Sequence, residues 1–305
     1  MLKRDLQILF LIEKSTMKKY ILISSLIVSI LLFSCNNFKS ESSITSNVIS
    51  KPKPPKVVGP PRVLFIGNSH IEYFVSGPTL FQELCNANNQ NINVQQLITI
   101  GVPLNKVYFT NKTEADQNFS NIDKDGNYYD YVIIQESTPI ALTNLSKFRD
   151  NLKLFAEKIH KNSPDAAIYV YQNMSPLSYT NSEYNNYYTE LRKNTILAAA
   201  FIKNAGVLRV GDAVKDAYEG KSGYKYLTGN KDNLCDGKNT LHFINDGGFL
   251  QAVLIYSTIF DKIPIIPKKL LLSTGTGDND NMRKQEVVKA VTNPKALEEI
   301  AFSNR

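Results

Sequence analysis

Cysteine and histidine are scarce in this chain, three of each, and that scarcity narrows the chemistry before any motif is considered. Cys35, Cys85 and Cys235 are too few for a disulfide framework and have none of the short spacings that ligate a metal. At most, Cys85 and Cys235 form one bridge in an oxidising compartment; two isolated buried thiols are the equal alternative. Arginine and lysine form no stripe interleaved with aromatics, and the five basic and two acidic side chains of residues 1–34 supply three of the seven net positive charges. The excess that remains is too small to imply a polyanion, so no nucleic-acid partner is expected. There is no internal repeat. Asp123-Lys-Asp125-Gly126 and Asp278-Asn-Asp280 lack the closing glutamate of a calcium loop and read as turns, and neither a metal nor an organic cofactor is expected.

The 305 residues, with 43% hydrophobic and 21% charged side chains, fit one large globular domain or two small ones. Met17-Lys18-Lys19-Tyr20, an apolar run and a small residue before Cys35 have the layout of a secretory signal peptide that starts at Met17. Leu32-Phe33-Ser34-Cys35 resembles the bacterial lipobox, which implies a lipidated Cys35; an uncleaved anchor helix is the alternative. Asn36–Pro61, rich in Ser, Asn, Lys and Pro, has too little apolar surface to fold and reads as a semi-extended tether. The expected organisation is a signal peptide (1–34), a lipidated cysteine and tether (35–61), a catalytic or binding domain (62–270) and a carboxyl-terminal appendage with a charged helix at 284–300 (271–305).

Within the domain, apolar segments at 62–66, 92–100, 130–135, 166–172 and 207–211 alternate with helix candidates at 78–88, 144–161, 182–204 and 246–260. Strands separated by helices require parallel crossovers, which predicts an α/β fold: a three-layer α/β/α sandwich around a mainly parallel, roughly five-stranded sheet. Ligands bind such sheets at the carboxyl ends of the strands. Arg62-Val63-Leu64-Phe65-Ile66 followed by Gly67-Asn68 places Ser69 there, just before a helix, as either a nucleophile or an N-cap.

A serine nucleophile needs a base. His70 is adjacent and badly placed for the proton, and His160 reads as a solvated, cationic residue at a helix end. His242 lies on a polar loop feeding the last apolar helix, with Asp236 and Asn239 upstream to fix its tautomer.

IGNS around Ser69, Gly101 after the second strand, DYVIIQES ending the third and a late Asp…His…Gly run resemble the SGNH/GDSL hydrolases over residues 60–262. The resemblance implies a flavodoxin-like sheet and a serine esterase in which Ser69 attacks the acyl carbon and His242 is the base. Asp236, or Asn239 in the family's usual position, orients His242, and the N–H groups of Ser69 and Gly101 with the Gln135 amide hold the oxyanion. It further implies a small-molecule or carbohydrate ester substrate, O-acetyl groups included, with tyrosines of 179–188 as sugar-stacking candidates. Attachment by the lipid anchor to the bacterial cell envelope, on the periplasmic face or outer-membrane surface, completes this expectation. The alternative function is a catalytically degenerate lipoprotein of the same fold that binds glycans or envelope partners. The α/β-hydrolase pattern is disfavoured, because Gly67-Asn-Ser69-His-Ile71 is not GxSxG.

Overall fold

Four consecutive apolar residues in the first strand demand cover on both faces, and the structure supplies it. The computed structural model describes residues 49–120, 129–227, 233–236, 242–273 and 282–305. The signal segment, Cys35, Asn239 and both calcium-like loops lie outside them. β1 (Arg62–Gly67) is flanked by β2 (Asn93–Ile98) and β3 (Tyr131–Ile134), followed by β4 (Ala167–Tyr171) and β5 (Ala205–Leu208), in the order β2-β1-β3-β4-β5 with all pairings parallel. This is the expected flavodoxin-like α/β sandwich. Val63 and Phe65 enter one core and Leu64 and Ile66 the other, and Tyr131/Ile133 against Val132/Ile134 repeat the division in β3.

The crossovers are α1 (Gly77–Ala87), α2 (Leu104–Thr110), α3 (Lys112–Ser120), α4 (Thr138–Thr143), α5 (Leu145–Asn162) and α6 (Asn181–Ala199), and α7 (Val210–Tyr218) and α8 (Asn245–Phe260) follow the last strand. Along α5, Phe148, Leu152, Phe155 and Ile159 are all buried, at the spacing that marked this helix in the sequence. Helix α8 has buried residues all round and is the central pillar of one face.

Two boundaries differ from expectation. The carboxyl-terminal residues are no appendage: β6 (Lys269–Ser273) and β7 (Met282–Glu286) form an antiparallel hairpin, followed by α9 (Val287–Ala290) and α10 (Pro294–Ser303). Val287, Val291, Leu297 and Ile300 are buried in the same core as Val63 and Phe65. The single helix expected at 284–300 is divided because Pro294 cannot sit in a helix interior and instead begins α10 behind the Asn293 cap. The tether also ends earlier than Pro61. Pro52 is buried, Ser50 Oγ donates to the Ala205 carbonyl at 3.3 Å, and Lys53 N donates to Asn204 Oδ1 at 2.7 Å. A Cβ on Gly206 would collide with Ser50 and Pro52, so glycine is what lets this segment lie against β5. All described residues fall in the unit Ser46–Arg305, and among them no helix is long and apolar enough to cross a membrane.

Cys85 and Cys235 are both buried, and no disulfide joins them. Burial pushes the Cys85 thiol up to about 12, with Lys262 pulling weakly the other way. Cys235 packs its sulfur 3.8 Å from that of Met174.

Candidate active site

Ser69 does not cap a helix. β1 stops at Gly67, the chain turns with Ile71 N donating to the Asn68 carbonyl at 3.0 Å, and α1 begins only at Gly77, where Ser76 is the cap and accepts from Thr79 N. The expected helix start immediately behind Ser69 is therefore replaced by a turn. That leaves Ser69 half-buried at the carboxyl edge of the sheet.

Asn68 and Glu136 fix the turn to its neighbours. Asn68 is buried and donates from Nδ2 to the Val102 carbonyl at 3.1 Å, which an aspartate could not do, while its Oδ1 accepts from His70 N at 3.3 Å. Thr99 N donates to the Gly67 carbonyl at 3.1 Å, continuing the β1–β2 register by one step and bringing Gly101 alongside the Ser69 turn. Gly101 has φ +76°, a backbone state that disfavours any side chain. Glu136, fully buried, accepts from Leu104 N at 3.0 Å and Ser137 N at 2.6 Å through Oε1, and from Asn151 Nδ2 at 2.6 Å through Oε2. A carboxylate at the first turn of α2 stabilises that end of the helix and so holds the loop carrying Gly101.

Gln135 is where the structure departs from the expected oxyanion set. Its side chain crosses over Gly67, where a Cβ would meet Oε1 at 2.8 Å, and that oxygen accepts from Asn68 N at 3.0 Å. The amide nitrogen donates to the Glu136 carbonyl and, at 3.2 Å, to Asn173 Oδ1. With both amide hydrogens committed, Gln135 braces the nucleophile turn instead of facing an acyl oxygen.

His242 meets Ser69. Nε2 of the imidazole stands 2.9 Å from Ser69 Oγ, joining residues 173 apart in sequence. A bridge pairs Cys235 with Phe243, and Ile244 N donates to the Leu234 carbonyl at 3.0 Å. The antiparallel register these set puts Asp236 opposite His242, on the same side of the ribbon. Tyr73 stacks on the imidazole with centroids 4.4 Å apart at 26°, and Phe74 meets it edge-on at 6.1 Å. Burial lowers the His242 pKa below its ordinary value, and the negative charge of Asp236 opposes that. Asn239, the other candidate for orienting His242, lies outside the described residues.

The remaining histidines and the tyrosines fall elsewhere. His70 Nε2 is 3.1 Å from Thr138 Oγ1, which also accepts from Asn173 Nδ2 at 3.2 Å. His160 is half-buried near the Ala166 carbonyl, and burial lowers its pKa, so it is not the solvated cation expected at a helix end. Of the tyrosine-rich stretch, Tyr184 is buried and Tyr188 donates to Asp212 at 2.9 Å, leaving Tyr179 and Tyr187 as a half-buried pair with ring centroids 4.9 Å apart. Tyr73, Phe74, Thr138 and Asn173 escaped the sequence reading. Asn173 alone carried a signal, as a polar residue just past the carboxyl end of a central strand.

No family model matches the chain, and no curated protein does. Among solved structures, a DUF4886 family protein from Bacteroides uniformis superposes with a TM-score of 0.53 at 15% identity, covering 80% of this chain and 93% of that one. A candidate SGNH hydrolase from Slackia heliotrinireducens gives 0.49 at 16% identity, covering 65% and 98%. A lipase/acylhydrolase from Enterococcus faecalis gives 0.46 at 16%, covering 68% and 100%. At 15% identity the first of these shows a shared fold and nothing finer.

Proposed function

We propose that the protein is a serine hydrolase of the SGNH/GDSL type that cleaves esters, with O-acetylated carbohydrate as its substrate class. The observation that carries the reading is the 2.9 Å approach of Ser69 Oγ to His242 Nε2 across 173 residues of sequence, with Asp236 opposite the histidine. In this mechanism Nε2 accepts the hydroxyl proton as Oγ attacks the acyl carbon, and the developing oxyanion takes the N–H groups of Ser69 and Gly101. The imidazolium, stabilised by Asp236, then protonates the leaving alcohol. Water, deprotonated by the same nitrogen, hydrolyses the acyl-Ser69 intermediate. The steps need no metal or organic cofactor. Acylation of Cys35 would hold the domain at the cell envelope, within reach of surface carbohydrate.

One observation favours a non-catalytic binder of the same fold: the Gln135 amide is spent on structure, so oxyanion stabilisation rests on backbone donors. Purified protein incubated with p-nitrophenyl acetate separates the two readings. Turnover that disappears in Ser69→Ala and in His242→Ala is the expected result. Equal background release by all three proteins defeats the hydrolase reading.

A further inference from the structure

At the opposite edge of the sheet, where β4 and β5 begin, lies a cleft of about 590 Å³ lined by Lys51, Lys53, Lys56, Lys203, Asp165 and Asn204, with prolines between them. All four lysines are exposed and the walls carry no aromatic ring. Asp261 is near enough for Lys51 to lower its pKa, but it is paired with Arg305 at 2.6 Å, so the two cancel. Four lysines against Asp165 leave three net positive charges around one opening. The cleft is a built feature, since its outer wall is the docked segment Ser50–Lys53 held on Asn204 and Ala205.

The geometry points to this cleft as the seat of the domain on an anionic phospholipid bilayer, with lysines on the lipid phosphates. Two observations choose this occupant. The charge is complementary to phosphate headgroups, and the wall is the stretch by which the chain arrives from the basic and apolar segment at 17–35. Parallel strands then direct the other edge, with Ser69, away from the lipid by roughly the length of a strand, about 15 Å. The inference rests on residues 17–35 delivering the chain to a membrane, and not on the hydrolase reading.

Each lysine near an anionic leaflet strengthens attachment about fivefold, so three net charges favour the docked orientation on the order of a hundredfold. Full-length protein is reconstituted into vesicles of phosphatidylcholine alone or mixed with phosphatidylglycerol. A membrane-impermeant amine reagent then labels exposed lysines for quantitation by mass spectrometry. Labelling of Lys51, Lys53, Lys56 and Lys203 is expected to fall at least about tenfold in the mixed vesicles and to return at high salt, while the exposed Lys112 and Lys153 stay constant. Equal labelling of the four in both vesicles overturns the inference. Protection by inorganic phosphate on phosphatidylcholine vesicles as strong as that by phosphatidylglycerol overturns it too, assigning the cleft to a soluble anion. Neither readout depends on ester turnover.

Discussion

Burial and Asp236 pull His242 in opposite directions, and the balance sets the pH range in which the proposed base is neutral. Burial is the larger effect and the net pKa lies below the ordinary 6.5, so the acid limb of kcat/KM is expected below that value, with a plateau above it. Asp236→Asn removes the opposing charge and should move the limb to still lower pH, while the loss of imidazolium stabilisation lowers kcat by as much as about 10⁴-fold. A pH profile of the variant checks both, and a limb that does not move would remove Asp236 from the site. The meeting of Ser69 and His242 was legible in sequence because a serine at a strand end and a histidine on a late polar loop are rare in this chain, whereas Asp236 and Asn239 stayed open as partners of the imidazole. The role of Gln135 was not: a motif gives the amide, but only the position of Asn173 and Glu136 decides where its hydrogens go.

Among the elements, the ribbon joining Leu234–Asp236 to His242–Ile244 sets Asp236 opposite His242, and it rests on the first turn of α8. A Cβ on Gly247 would run into the Leu234 carbonyl and the Phe243 ring. Gly247→Ala should therefore cost about 1–3 kcal/mol of stability by overpacking, seen in thermal unfolding. It should also lower kcat/KM by more than the unfolded fraction explains, because the ribbon must shift. Activity per folded molecule equal to wild type would show that the ribbon does not set the catalytic geometry. Strand and helix positions were readable from apolar runs and helical period, usually within a few residues. The turn from Asn68 to Ser76 was not, because this span carries neither an apolar run of strand length nor a helical period, although Pro78 favours the helix start that Ser76 caps.

For the molecule as a whole, the carboxyl-terminal hairpin and helices complete one core. Leu297, fully buried on α10 against α8, is expected to cost about 2–5 kcal/mol as Leu297→Ala, measured by denaturant unfolding. An appendage would tolerate the change with no loss, so a wild-type midpoint would contradict the packing. The sequence by itself determined the layered α/β plan, the strand that presents Ser69 and the histidine that answers it. Apolar period and the rarity of histidine are local properties that a single chain displays. Tertiary structure alone decided that Asp236 faces His242, that Gln135 braces the turn, that Ile49–Lys53 docks on β5, and that residues 282–305 close the core. Each of these depends on which distant backbone groups approach within hydrogen-bond or van der Waals reach, a distance that sequence spacing does not encode.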